Sequence, residues 1–172
     1  MCIRDRPKNL MEVYEIYLLD QDWSPKSKGL DSDKFAWLKL PRHHEAALRS
    51  LVNGENVDWS GVFDLFRDPN LSINELLMSP AFLGIIRDYY KKHYSNITFS
   101  DFLWTMRSIY LPLFIAMQFI PPKADIYHCV ATGYSGIVGA MAKALYPKSA
   151  MMVSEHGIYT RCLLYTSPSP RD

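Results

Sequence analysis

Cysteine is scarce in this chain: three occur, Cys2, Cys129 and Cys162. Two of them lie in end segments that read as foreign (next paragraph), and a single Cys129 cannot build a disulfide framework. An excess of either charge sign is missing too. The chain has 19 basic and 18 acidic residues; setting aside Arg4, Arg6 and Arg171 with Asp5 and Asp172 leaves 16 of each. A neutral chain gives no electrostatic case for nucleic acid or an anionic membrane. Neither phosphate-binding fingerprint, G-x-G-x-x-G or G-x-x-x-x-G-K-[ST], is present. No H-E-x-x-H and no cysteine cluster occurs, so no metal-ligand spacing is visible. The longest apolar run, residues 102–120, is interrupted by Arg107, Pro112 and Gln118. A membrane span needs roughly 20 residues with few or no charges, so the run reads as a buried or half-buried helix. No internal repeat appears.

The two ends are related in a way that independent termini are not. Met1-Cys2-Ile3-Arg4-Asp5 back-translates as ATG TGT ATA AGA GAC, and Cys162-Leu163-Leu164-Tyr165-Thr166-Ser167 as TGT CTC TTA TAC ACA TCT. These strings are reverse complements over most of their length, as an adapter ligated at both ends of a DNA fragment would be. Residues 1–6 and 162–172 are therefore expected to be adapter-derived and are set aside from fold reasoning. On that reading residues 7–161 are an internal piece of a longer protein.

What is present is a globular composition, 48% hydrophobic and 13% aromatic, with enough apolar surface for a core and against disorder. Residues 10–19 alternate and are rich in Val, Ile and Tyr, the pattern of a strand. Residues 21–33 read as a loop. Helical periodicity follows at 43–51, 59–66, 73–78 and 80–94, with Gly54, Asp68-Pro69-Asn70 and Ser79-Pro80 as punctuation. The run 102–120 is expected to be helical from a Ser100 N-cap, with Asp101 in its first turn and a kink near Pro112. These helices read as an insertion between the first strand and a second α/β unit. That unit comprises a short apolar strand at 124–130, a glycine turn at 132–136, an Ala-rich helix at 137–146 and a second strand at 149–154. The short links predict parallel strands with a right-handed crossover.

In open α/β sheets ligands bind beyond the carboxyl ends of the strands. Two segments converge there: Thr132, Gly133, Tyr134, Ser135 and Gly136 after one strand, and residues 155–161 after the other. The glycine turn places N–H groups at a helix start, suited to a phosphate or sugar hydroxyl. On spacing alone, close packing of helix on strand explains Gly133, Gly136 and Gly139 more simply. His156, between Glu155 and Gly157, can donate to a hydroxyl or phosphate; Glu155 can set its tautomer or hold a sugar hydroxyl itself. The alternative is a structural histidine capping a loop. Ser154, Glu155 and His156 are consecutive and cannot align as a triad. Tyr134, Tyr159 and Arg161 are expected at the pocket rim. His128 reads as a core histidine, and His43-His44 as part of a solvated face.

The wording Ala-Asp-Ile-Tyr-His-Cys-Val-Ala-Thr-Gly-Tyr-Ser-Gly-Ile-Val-Gly-Ala-Met-Ala-Lys at 124–143, followed by Ser-Glu-His-Gly-Ile-Tyr-Thr-Arg at 154–161, resembles the PelF-type glycosyltransferases of exopolysaccharide synthesis. These belong to the retaining family-4 enzymes of GT-B fold. Pro-Lys-Asn-Leu-Met-Glu-Val-Tyr-Glu-Ile-Tyr-Leu at 7–18 resembles the strand that family places before its helical insertion. The resemblance implies an α/β fold, with residues 7–161 forming part of the N-terminal, Rossmann-like, acceptor-side domain. It implies His156 against the transferred sugar and the 132–136 turn facing the same cleft. The implied partners are a nucleotide sugar, such as a UDP-sugar, and a polysaccharide acceptor. A cytoplasmic setting beside a membrane-bound polysaccharide synthase complex fits the family; nucleic acid does not. No protein nucleophile, metal or cofactor is expected, because in such enzymes the leaving phosphate steers the acceptor. Two other readings stand beside it. A dinucleotide-dependent oxidoreductase or epimerase would need the missing glycine fingerprint. A non-catalytic carbohydrate-binding module would lack the donor-site Arg, Lys and Glu of the second domain.

Overall fold

The computed structural model describes residues 9–18 and 39–155. Within them the elements follow as α1 (Arg42–Asn53), α2 (Trp59–Phe66), α3 (Ile73–Met78), α4 (Pro80–His93), α5 (Phe99–Gln118), β1 (Ile126–Cys129), α6 (Tyr134–Leu145) and β2 (Ala150–Val153). The chain is thus a mixed helix-and-strand protein with one small parallel sheet.

Local chemistry sets most helix ends. α1 stops at Gly54, whose φ of 71° is left-handed and whose N–H reaches the Ser50 and Leu51 carbonyls; glycine adopts this conformation without a Cβ penalty. Asp58 caps α2 by accepting from Gly61 N at 3.0 Å, and Ser72 caps α3 by accepting from Glu75 N at 3.3 Å. Ser79 joins α3 to α4: its buried hydroxyl donates to Leu76 O (2.7 Å) and accepts from Phe82 N (3.2 Å). Pro80 then occupies the first turn of α4, where its missing N–H costs nothing.

α5 begins earlier than its sequence pattern suggests. Its N-cap is Thr98, not Ser100: Thr98 Oγ1 accepts from Asp101 N at 3.3 Å and donates to Asp101 Oδ2 at 2.6 Å. Pro112 lies inside the helix, which continues to Gln118. The two polar residues that interrupt the apolar run fix α5 in place. Arg107 Nη2 donates to Asn74 Oδ1 on α3 (3.1 Å), and Gln118 Nε2 to Leu71 O just before it (2.5 Å). No helix among the described residues is long and apolar enough to cross a membrane.

The five helices α1–α5 enclose the core. Phe66, Phe82 and Phe114 meet at its centre, with ring centroids 4.8 Å (Phe66–Phe114) and 5.8 Å (Phe82–Phe114) apart. Leu48, Leu76, Ile85, Ile86 and Met117 close around them with almost no exposed surface. Each such side chain contributes roughly 1.5–3 kcal/mol on burial. α6 docks on this body through Met141, Ile137 and Ala140. On its other side Gly139 packs against the sheet: a Cβ there would lie 2.4 Å from Cys129 Sγ and 2.8 Å from Met151 Cε. β1 and β2 pair in parallel, in the register Ile126↔Ala150 to Cys129↔Val153.

The strand expected at 10–19 is not found in its described part. Residues 10–18 carry no strand, and among the described residues the sheet has two strands only. A strand needs a hydrogen-bonding neighbour. Here the alternation is spent on same-side local pairs, Tyr14 with Glu12 and Tyr17 with Glu15. The helices therefore form the body onto which the α/β unit docks, and no strand precedes them among the described residues. The loop expected at 21–33 lies outside the described residues.

Candidate functional site

The site is built where both parallel strands end. Beyond β1 the chain turns through residues 130–133, and α6 starts at Tyr134, inside the segment that reads as a glycine turn. Gly133 is its N-cap and supplies no side chain to cap it. Ser135 Oγ donates back to Ala131 O (2.5 Å), and Cys129 Sγ donates to Ser135 O (3.2 Å), so the turn is tied to the end of β1.

The three glycines separate into two kinds. Gly139 is required by close helix–sheet packing, as the spacing argument holds. Gly133 and Gly136 are not: a Cβ at Gly133 meets nothing within 4 Å, and at Gly136 only Ala131 O at 3.7 Å. Packing leaves these two positions open, at a helix start whose N-cap, Gly133, has no side chain to cap it.

Beyond β2, Ser154 N donates to Cys129 O (2.8 Å), which carries the ladder to the strand ends. Glu155 then crosses to the other loop. Its Oε2 accepts from Thr132 N (3.1 Å) and from Thr132 Oγ1. Of the sequence-predicted residues, the structure thus brings Thr132 and Glu155 into direct contact and sets Gly133, Tyr134, Ser135 and Gly136 beside them. His156, Gly157, Tyr159 and Arg161 lie outside the described residues. Glu155 is engaged with Thr132, a role the sequence reading did not include.

Tyr134 and Ser135 also line a cavity of about 360 Å³ beside β1 and the start of α6, to which Ile16 and Leu18 of the segment before the helices contribute. Its walls are mainly apolar with a few polar groups, the usual make-up of a small-molecule site. His128 lines it as well, which corrects the reading of His128 as a core residue. The side chain is exposed, and its Nε2 lies 2.7 Å from Ser154 Oγ. The strand period of two carries the signal: Tyr127 and Cys129 face α6, so His128 must face the other way.

A second set of polar groups lies away from this place. His44 is half-buried rather than part of a solvated face, with Nε2 3.2 Å from Asp64 Oδ2. The His43 ring lies tilted beside it, ring centroids 4.0 Å apart. Asp64 is twenty residues away from His44 and on another helix, so no local spacing signals the cluster.

Comparison with curated proteins and with solved structures returns no match. A family model described as Domain of unknown function (DUF3492) matches residues 4–164, and the chain belongs to that family.

Proposed function

We propose that this chain is part of a retaining glycosyltransferase of PelF type, contributing a Rossmann-like, acceptor-side wall to a GT-B cleft. The observation that carries the reading is the Thr132–Glu155 bridge. It ties together the two loops that leave parallel strands at their carboxyl ends, beside an uncapped helix start. That is the position where open α/β sheets bind ligands, and it coincides with the two segments whose wording resembles the family. The first N–H groups of α6, at Tyr134, Ser135 and Gly136, suit sugar hydroxyls or a phosphate oxygen. The donor is a nucleotide sugar, such as a UDP-sugar, and the acceptor a growing polysaccharide. The missing dinucleotide fingerprint sets the oxidoreductase reading behind this one.

In this reading the protein supplies positioning and electrostatics, with His156 donating to the transferred sugar as charge develops. Transfer is to be assayed with the enzyme containing both walls of the cleft and a panel of UDP-sugars. His156→Ala should reduce turnover by about 10²-fold or more, the loss seen when a transition-state donor is removed. Glu155→Gln should raise KM more than it lowers kcat, because its role is to hold the 130–133 turn through Thr132. A His156→Ala enzyme that turns over at the parent rate would return His156 to a structural role. The 172-residue chain alone should show no donor turnover, since the resemblance places the donor site in a second domain; measurable turnover would overturn the two-wall reading.

A further inference from the structure

We propose a binding site for a divalent transition metal of the Zn²⁺ class between α1 and α2, formed by His43, His44 and Asp64. Their ligand atoms all lie within 4.8 Å of one another. Zinc held at 2.0–2.2 Å by imidazole nitrogen and carboxylate oxygen in a tetrahedron separates its ligands by about 3.3 Å. His44 Nε2 and Asp64 Oδ2 already stand 3.2 Å apart. His43 is exposed, with its ring centroid 4.0 Å from that of His44, close enough for one of its nitrogens to serve as the third ligand.

The frame that holds the ligands is closely packed. Gly61 is where α2 meets α1, for a Cβ there would lie 2.9 Å from Ala47 Cβ and 2.5 Å from Asp58 Oδ2. His44 and Asp64 each sit three residues, about one helical turn, from that contact, on the faces the contact brings together. The start of α1 carries the positive end of its helix dipole, which opposes a cation; the Asp64 carboxylate supplies the compensating charge. Borderline imidazole and harder carboxylate donors combine in Zn²⁺ sites, and Co²⁺ serves as the spectroscopic substitute. Asp64 also borders a polar cavity of about 480 Å³ shared with Ser60 and Arg67, with room for water as the remaining ligand. This cavity reaches Ala144, near the far end of α6 from the glycine turn, roughly 15 Å along the helix. The site is therefore separate from the candidate sugar site, and the metal would clamp α1 to α2 rather than take part in transfer.

The test is titration of the purified 172-residue chain with ZnCl₂ by calorimetry and with CoCl₂ by visible absorption. The expected result is one ion per chain with a Kd below about 100 µM, visible d–d bands of a low-coordinate Co²⁺ site, and a Tm that rises with ZnCl₂ concentration. His43→Ala, which leaves the His44–Asp64 pair intact, should weaken binding at least tenfold, as should Asp64→Asn. His93→Ala and His128→Ala should leave it unchanged. Weaker binding than that limit, or binding that survives His43→Ala and Asp64→Asn, would overturn the site.

Discussion

Three glycines within seven residues carry different physical burdens, and substitution separates them. At Gly139 a methyl group would have to occupy the space of Cys129 Sγ and Met151 Cε. Overpacking of this kind costs about 1–3 kcal/mol, more than the helix-propensity gain of up to about 1 kcal/mol from replacing glycine by alanine. Gly139→Ala should therefore lower the denaturation midpoint. Gly136 lies in the first turn of the same helix with its nearest foreign atom at 3.7 Å. Gly136→Ala should leave stability unchanged or raise it by up to about 1 kcal/mol. Its effect should appear in substrate binding, because the added methyl sits beside the N–H groups of the helix start. Urea titration of both variants checks the first pair of signs, and KM in the two-domain enzyme the second. Equal destabilisation by both would mean that Gly136 also serves packing.

Among elements, the α3–α4 junction and the middle of α5 make the clearest demands. Ser79 is fully buried and satisfies both the Leu76 carbonyl and the Phe82 N–H. Ser79→Ala leaves both without that partner, and a lost cap costs about 1–2 kcal/mol; a thermal scan should show a Tm lower by several degrees. On α5, burial pushes the Tyr110 phenol up to about 12 from an ordinary value of 10.0. The folded state thus holds its proton at pH values where the unfolded chain has released it. The associated stability is fully present below pH 10 and is lost as pH rises from about 10 to 12, up to about 2–3 kcal/mol. Tyr110→Phe should flatten that part of the pH–stability curve relative to the parent, as measured by urea midpoints. Identical curves would show that Tyr110 is not the titrating group. These elements also show what is readable locally. α2 and α3 are legible to the residue because turn formers bracket them, and their apolar faces repeat at helical spacing. The start of α5 is not, because Thr98 and Ser100 are both capable caps and only the pairing of Thr98 with Asp101 selects one. Residues 10–18 have strand-like alternation, but a strand exists only with a neighbour, and alternation carries no information about neighbours. The two convergent loops could be read from the strand–helix–strand order. The Thr132–Glu155 bridge and the His43–His44–Asp64 cluster could not, since each joins residues about twenty positions apart through tertiary packing.

Across the whole molecule, burial is uneven. The body of α1–α5 has a continuous core around Phe66, Phe82 and Phe114. Among the described residues the sheet has two strands of four residues, and its outer face leaves Ile126 at 66% and Met152 at 51% exposure. Parallel sheets are ordinarily covered on both faces, and two paired strands are marginal without packing support. Among the described residues α6 supplies that support on one face, through Cys129, Gly139 and Met151. Opening the sheet therefore exposes little apolar surface, whereas opening α4 or α5 exposes the central aromatic cluster. Native-state hydrogen exchange should divide accordingly. The ladder amides of Ala150 and Ser154, bonded to Asp125 O and Cys129 O, should exchange through sub-global opening, at least tenfold faster than core amides of α4 and α5 such as Ile86 and Phe114. Low denaturant should leave the Ala150 and Ser154 rates nearly unchanged while accelerating the core amides, because the small opening exposes little surface. Gly139→Ala should speed the sheet amides further and leave the α4 amides close to their parent rates. Protection of Ala150 and Ser154 equal to that of Phe114 would instead make the sheet part of the global cooperative unit. Its uncovered face would then contribute nothing to how the molecule opens.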